Sequence, residues 1–158
     1  MTILRASILG GVDGVITSFA VVAGSKAGGF NRNTVLVVGI SSVLADGLSM
    51  GVSEYLSSSS ELAAGNEKTK IKPMLFGAAC FTSFVVCGIV PILVYLLGNE
   101  SLLACAMFAL VELMLLGSGR TRFTKEPILT GLLQTSVLGS VAGAVAYGTG
   151  RLVHHVST

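Results

Sequence analysis

Four carboxylates stand inside stretches of sequence that are otherwise almost wholly apolar: Asp13, Asp46, Glu54 and Glu112. They are half of the eight acidic residues, whereas all ten Lys and Arg residues fall at the ends of those stretches or between them. A carboxylate near the centre of a bilayer costs about 2.5 kcal/mol or more, and no cationic side chain lies within the stretches to pair with it. Either a proton or a cation supplied from outside must neutralise these groups. In the second stretch Asp46, Met50 and Glu54 recur at i, i+4 and i+8, which on a helix makes one stripe roughly 12 Å tall. Magnesium and calcium take all-oxygen shells and gain little from a thioether, whereas first-row transition metals accept mixed oxygen and sulfur ligands. The stripe therefore leans towards a divalent transition metal. The structural alternatives are a methionine that fills a core and protonated acids hydrogen-bonded to neighbouring helices, and Glu112 fits an interhelical polar contact as well as a functional role.

The elements that must hold these groups cross a membrane. Of the 158 residues 52% are hydrophobic and only 11% charged, against about 25% charged in an ordinary globular domain, and the mean hydropathy is +0.83. A small soluble protein has a large surface for its volume, and eighteen charges cannot cover it. A net charge of +2 and 6% aromatic residues do not suggest a nucleic-acid binder. Spans of roughly 20 residues are predicted at 6–24, 34–56, 74–97, 102–117 and 128–153. The fold class is thus an all-α integral membrane protein of five transmembrane helices, a single domain over 1–158 with no internal repeat. Residues 57–72 (SSSSELAAGNEKTKIK) are the only sizeable polar connection and read as a short cytosolic loop, 98–101 is a tight turn, and 118–127 is basic. The first span lacks a small-residue cleavage site and is expected to remain in the mature protein.

Orientation follows from the side that holds more Lys and Arg. Arg5, Lys68, Lys70, Lys72, Arg120, Arg122 and Lys125 share one side, and Lys26, Arg32 and Arg151 the other. The N-terminus is therefore expected in the cytosol, and the C-terminus with His154 and His155 in a lumen or outside the cell. Cys80, Cys87 and Cys105 all fall within spans, an odd number that argues against a disulfide framework and leaves neutral packing or thiolate ligation. Gly10 and Gly14 bracket Asp13, and Gly47 and Gly51 lie between Asp46 and Glu54. Small residues four apart let helices approach closely in lipid, which predicts that the first two helices meet and bring Asp13 towards Asp46. Gly139 and Gly143 repeat the spacing in the last span as a packing face.

The runs DGVITSFAVVAG (13–24) and ADGLSMGVSEYLSSSSE (45–61), with the Gly-rich GLLQTSVLGSVAGAVAYGTG (131–150), resemble the vacuolar iron transporter family. The resemblance covers nearly the whole chain. It implies a five-helix protomer that forms a homodimer, with an ion path at the two-fold interface built chiefly by the first two helices of each copy. It also implies ferrous iron as the transported ion, with manganese, moved out of the cytosol into a vacuole-like compartment or across the plasma membrane in exchange for protons, and no permanently bound cofactor. Asp13 matches the acid of the first-helix DG motif, and Asp46 and Met50 match the ADGxSM segment. Glu54 stands where the family has a polar or acidic residue. The sequence departs from members with a long acidic metal-binding domain between helices two and three, because 57–72 offers only Glu61 and Glu67. Glu61 either extends the stripe at the cytosolic mouth or is a solvated helix-end charge.

Three other classes fit less well. An intramembrane aspartyl protease needs two membrane acids, but here they stand in GVDG and LADG contexts without a GxGD-like segment, so no enzymatic activity is expected. A small multidrug-type exchanger wants aromatic cages for an organic cation, and the chain has no Trp. A purely structural membrane protein without transport activity is the remaining alternative.

Overall fold

A computed structural model of the chain describes residues 2–65, 72–98, 100–124 and 127–157. Five helices run through them: α1 (Ile3–Ala27), α2 (Arg32–Ala63), α3 (Pro73–Leu97), α4 (Leu102–Thr124) and α5 (Ile128–Ser157). Each is long and apolar enough to cross a membrane, and the chain is an all-helical, multi-pass integral membrane protein. Lys68, Lys70, Lys125 and Glu67 lie outside the described residues.

Local chemistry sets the helix ends. Thr2 and Asn31 cap α1 and α2, their side chains accepting from the Arg5 and Thr34 N–H groups at 3.4 and 2.9 Å, and Pro73 opens α3 where its missing N–H is not needed. Gly29, at φ 76°, turns the chain from α1 into α2 in a conformation that a side chain would strain. Glu100 adopts φ 60° between α3 and α4, and its carboxylate is held by Lys26 at 3.4 Å and Tyr95 at 3.5 Å.

Two connections differ from the sequence reading. The predicted loop at 57–72 begins later, because α2 continues through Ser57 to Ala63 before a turn at Ala64 and Gly65. The hydroxyls of Ser53 and Ser60 donate to the carbonyls of Ser49 and Leu56, each at 2.9 Å. Bonded back to the preceding turn, these serines do not break the helix. Helix α4 likewise runs past the predicted end at 117 to Thr124, with Ser118 and Thr121 bonded to carbonyls three residues back.

Helix α1 is the hub and packs against all four others, whereas α2 lies against α1 and α3, and α5 against α1 and α4. Helices adjacent in the chain run in opposite directions. Burial of apolar surface does not drive helices together in lipid, so their approach depends on fit. A Cβ on Gly10 or Gly14 would run into the backbone carbonyl oxygens of Cys80 and Phe84, while one on Gly51 would stand 2.9 Å from Phe81 Cβ and 3.0 Å from the Gly77 carbonyl oxygen. Both glycine pairs therefore serve contacts with α3. The predicted direct meeting of α1 and α2 at these glycines is corrected: α3 takes both faces because it supplies its own small residues, Gly77 and Gly88, at the crossings. Gly139 and Gly143 turn towards Leu113 of α4 and Phe19 of α1.

Candidate functional site

Asp13 and Asp46 both lie exposed on the surface of the chain. Their neighbours fix their heights: Gly14 abuts the backbone of Phe84, and a Cβ on Gly47 would stand 3.1 Å from the ring of the same Phe84. The two acids thus occupy one level of the bundle, within electrostatic reach of each other. That level is near mid-helix, since Asp13 is about 15 Å along α1 from Ile3 at 1.5 Å per residue.

The rest of the stripe descends α2 from Asp46. Met50 is half-buried and packs against Ala6, Phe76 and Cys80 as well as the larger core around Phe84, so it joins the stripe to the interior. Glu54 is half-buried one turn further. Because α2 continues unbroken, the exposed Glu61 falls seven residues beyond Glu54 and returns to nearly the same face, about 20° away. The Cys80 thiol, fully buried on α3, lies within electrostatic reach of both Glu54 and Asp13. Nothing in the spacing of Cys80 signalled that position, which depends on how α3 seats against α1. Among the described residues of one chain, no group of three or more His, Cys, Asp or Glu side chains converges as a metal site.

The sequence pattern of the VIT family matches residues 4–71 and 61–151. The chain belongs to the VIT family. The first matched segment carries Asp13, Asp46, Met50 and Glu54, and the second carries Glu112. A vacuolar iron transporter of Toxoplasma gondii is 43% identical over 58 residues, 37% of this chain and 19% of that protein. The match thus spans about a fifth of the length of that relative. Vacuolar iron transporter 1 of Eucalyptus grandis is 23% identical over 215 aligned residues, covering 96% of this chain and 86% of that protein. Vacuolar iron transporter homolog 3 of Arabidopsis thaliana is 27% identical over 168, covering 95% and 82%.

Glu112 is not part of the Asp13 and Asp46 face. It is half-buried on α4, and its Oε2 is enclosed without a hydrogen-bond partner. Its neighbour is Cys87 of α3, which lies within hydrogen-bonding reach of both Glu112 and Ser83. All three cysteines are free, Cys80 and Cys105 buried and Cys87 half-buried. The Cys105 thiol donates to the carbonyl of Pro91 at 3.3 Å. Two close crossings, Gly24 with Gly150 and Gly117 with Gly131, went unread in the sequence because their partners stand on different helices at no fixed spacing.

Proposed function

We propose that this VIT-family protein transports a divalent transition metal, ferrous iron and also manganese, out of the cytosol into a vacuole-like compartment or out of the cell, in exchange for protons. The observation that carries the reading is the pair of exposed acids, Asp13 and Asp46, at one level of the membrane, in stretches of α1 and α2 (6–25 and 33–63) that hold no Lys, Arg or His. Among the described residues one chain offers no closed shell of ligands, and both acids lie exposed. The reading therefore pairs the α1 and α2 faces of two copies in a homodimer, where Asp13, Asp46, Met50 and Glu54 of each copy line one path. The names of the relatives support iron as the ion, and the excess of Lys and Arg on the N-terminal side supports a cytosolic N-terminus.

Protons and metal compete for the same carboxylates in this path. Metal entering from the cytosol displaces protons from Asp46 and Glu54, and protons entering from an acidic far side release it. Met50 contributes a soft ligand that magnesium does not use, Asp13 draws in the ion, and Glu61 adds negative charge at the mouth. Purified protein in liposomes is expected to take up ferrous iron or manganese when a pH gradient is imposed, and Asp46→Ala is expected to abolish uptake. Uptake that survives this substitution unchanged would overturn the assignment.

A further inference from the structure

Glu112 lies across α1 from the metal-binding acids. On α1 it is Gly11 that turns towards this side: a Cβ there would stand 3.0 Å from Ser83 Oγ, 3.2 Å from Cys87 Sγ and 3.3 Å from Leu116 Cδ1. Asp13 is two residues on, rotated by about 200° and so facing away. Cys87 and Leu116 pack in turn against an apolar core of Val15, Ala109 and Leu113.

The charged and titratable groups around Glu112 are few. Helix α3 presents Cys87, with Ser83 beside it. On α4 itself the nearest are Cys105, two turns towards one end, and Arg120, about 12 Å towards the other. No Lys, Arg or His occurs anywhere in 6–25, 73–119 or 127–150. An enclosed carboxylate oxygen without a donor or a cation is costly in a membrane, and a bound proton removes that cost.

We propose that Glu112, with Cys87 and Ser83, is a proton-binding site inside the protomer, separate from the metal path, and that it supplies one of the protons exchanged for metal. The proposal rests on the exchange reading above. Helix α1 links the two places, with Asp13 on one face and Gly11 on the other.

The test uses full-length protein in liposomes, with Mn2+ as the probe and a pH-sensitive dye to count protons moved per metal ion. Glu112→Gln keeps the size of the side chain but carries no exchangeable acid proton. It is expected to leave Mn2+ binding to the purified protein unchanged while lowering the proton-to-metal ratio by one per protomer, and Glu112→Asp is expected to restore the ratio. A purely packing role for Glu112 would alter thermal stability and leave the ratio untouched, and an unchanged ratio in Glu112→Gln overturns the proposal. Should Glu112→Gln fail to fold, infrared spectra of Glu54→Gln protein labelled with 13C-glutamate decide the matter: with the glutamate of the metal path removed, a glutamic-acid C=O band at neutral pH supports the site, and its absence overturns it. If the wild-type protein carries Mn2+ without moving protons, the exchange reading itself fails, a result distinct from any change caused by Glu112→Gln.

Discussion

Replacing Gly14 with Ala tests whether the α1–α3 crossing holds the two exposed acids at one height. The added Cβ would run into the carbonyl oxygen of Phe84, with the carbonyl carbon 3.0 Å and the Cα 3.1 Å away. All three are backbone atoms, so no change of rotamer relieves the contact and α1 must move off α3. Reaching ordinary contact at 3.4 Å requires an opening of about 0.4 Å at the carbonyl carbon and more at the oxygen. Forcing one methyl into a packed crossing costs about 1–3 kcal/mol, and every 1.4 kcal/mol is a tenfold change in an equilibrium constant. Part of that is masked by the better helix propensity of Ala, worth about 1 kcal/mol. Gly148→Ala provides the reference, since nothing lies within 4 Å of a Cβ at Gly148 on α5. Unfolding by sodium dodecyl sulfate in mixed micelles, followed by circular dichroism, is expected to place Gly14→Ala about 1–3 kcal/mol below Gly148→Ala. The displaced Asp13 should also weaken Mn2+ binding in the first variant and not in the second. Equal stability of the two, within about 0.5 kcal/mol, would refute the crossing as described.

Met50 is shared between the stripe and the core, so Met50→Leu separates its two roles. Leu conserves its volume, and the stability loss should stay under about 1.5 kcal/mol, while the preference for Mn2+ over Mg2+ in a competition assay falls; an unchanged preference would confine Met50 to packing. The Lys26–Glu100 pair, with side chains 41% and 37% exposed, is open to screening by solvent and salt. A double-mutant cycle with Ala at both positions should show that coupling shrink as ionic strength rises, and coupling that is insensitive to salt would show the pair to be shielded from solvent.

Much of the candidate site is visible in the sequence because helix periodicity acts within one element. The i, i+4, i+8 spacing of Asp46, Met50 and Glu54 needs only 3.6 residues per turn to become a stripe. Glu61 is harder to place, since its register depends on whether the serine run after Leu56 stays helical. In the structure the run is helical, with the Ser60 hydroxyl bonded back to the Leu56 carbonyl, an outcome that composition alone leaves open. Cys80 carries no signal at all, because its nearness to Asp13 and Glu54 is a relation among three helices.

The same division runs through the whole molecule. Composition and charge position by themselves determine that the chain crosses a membrane several times and that acids stand mid-span away from the cations at the helix ends, because lipid tolerates neither exposed backbone nor scattered charge. The tertiary structure alone decided which helix covers which face. It sent the glycine pairs of α1 and α2 to α3 instead of to each other, left Asp13 and Asp46 exposed at a common level, and enclosed Glu112 on the opposite side of α1. The physical reason is that apolar faces are interchangeable in lipid, so partners are chosen by the fit of small residues against a neighbouring backbone, and that fit exists only between helices already assembled.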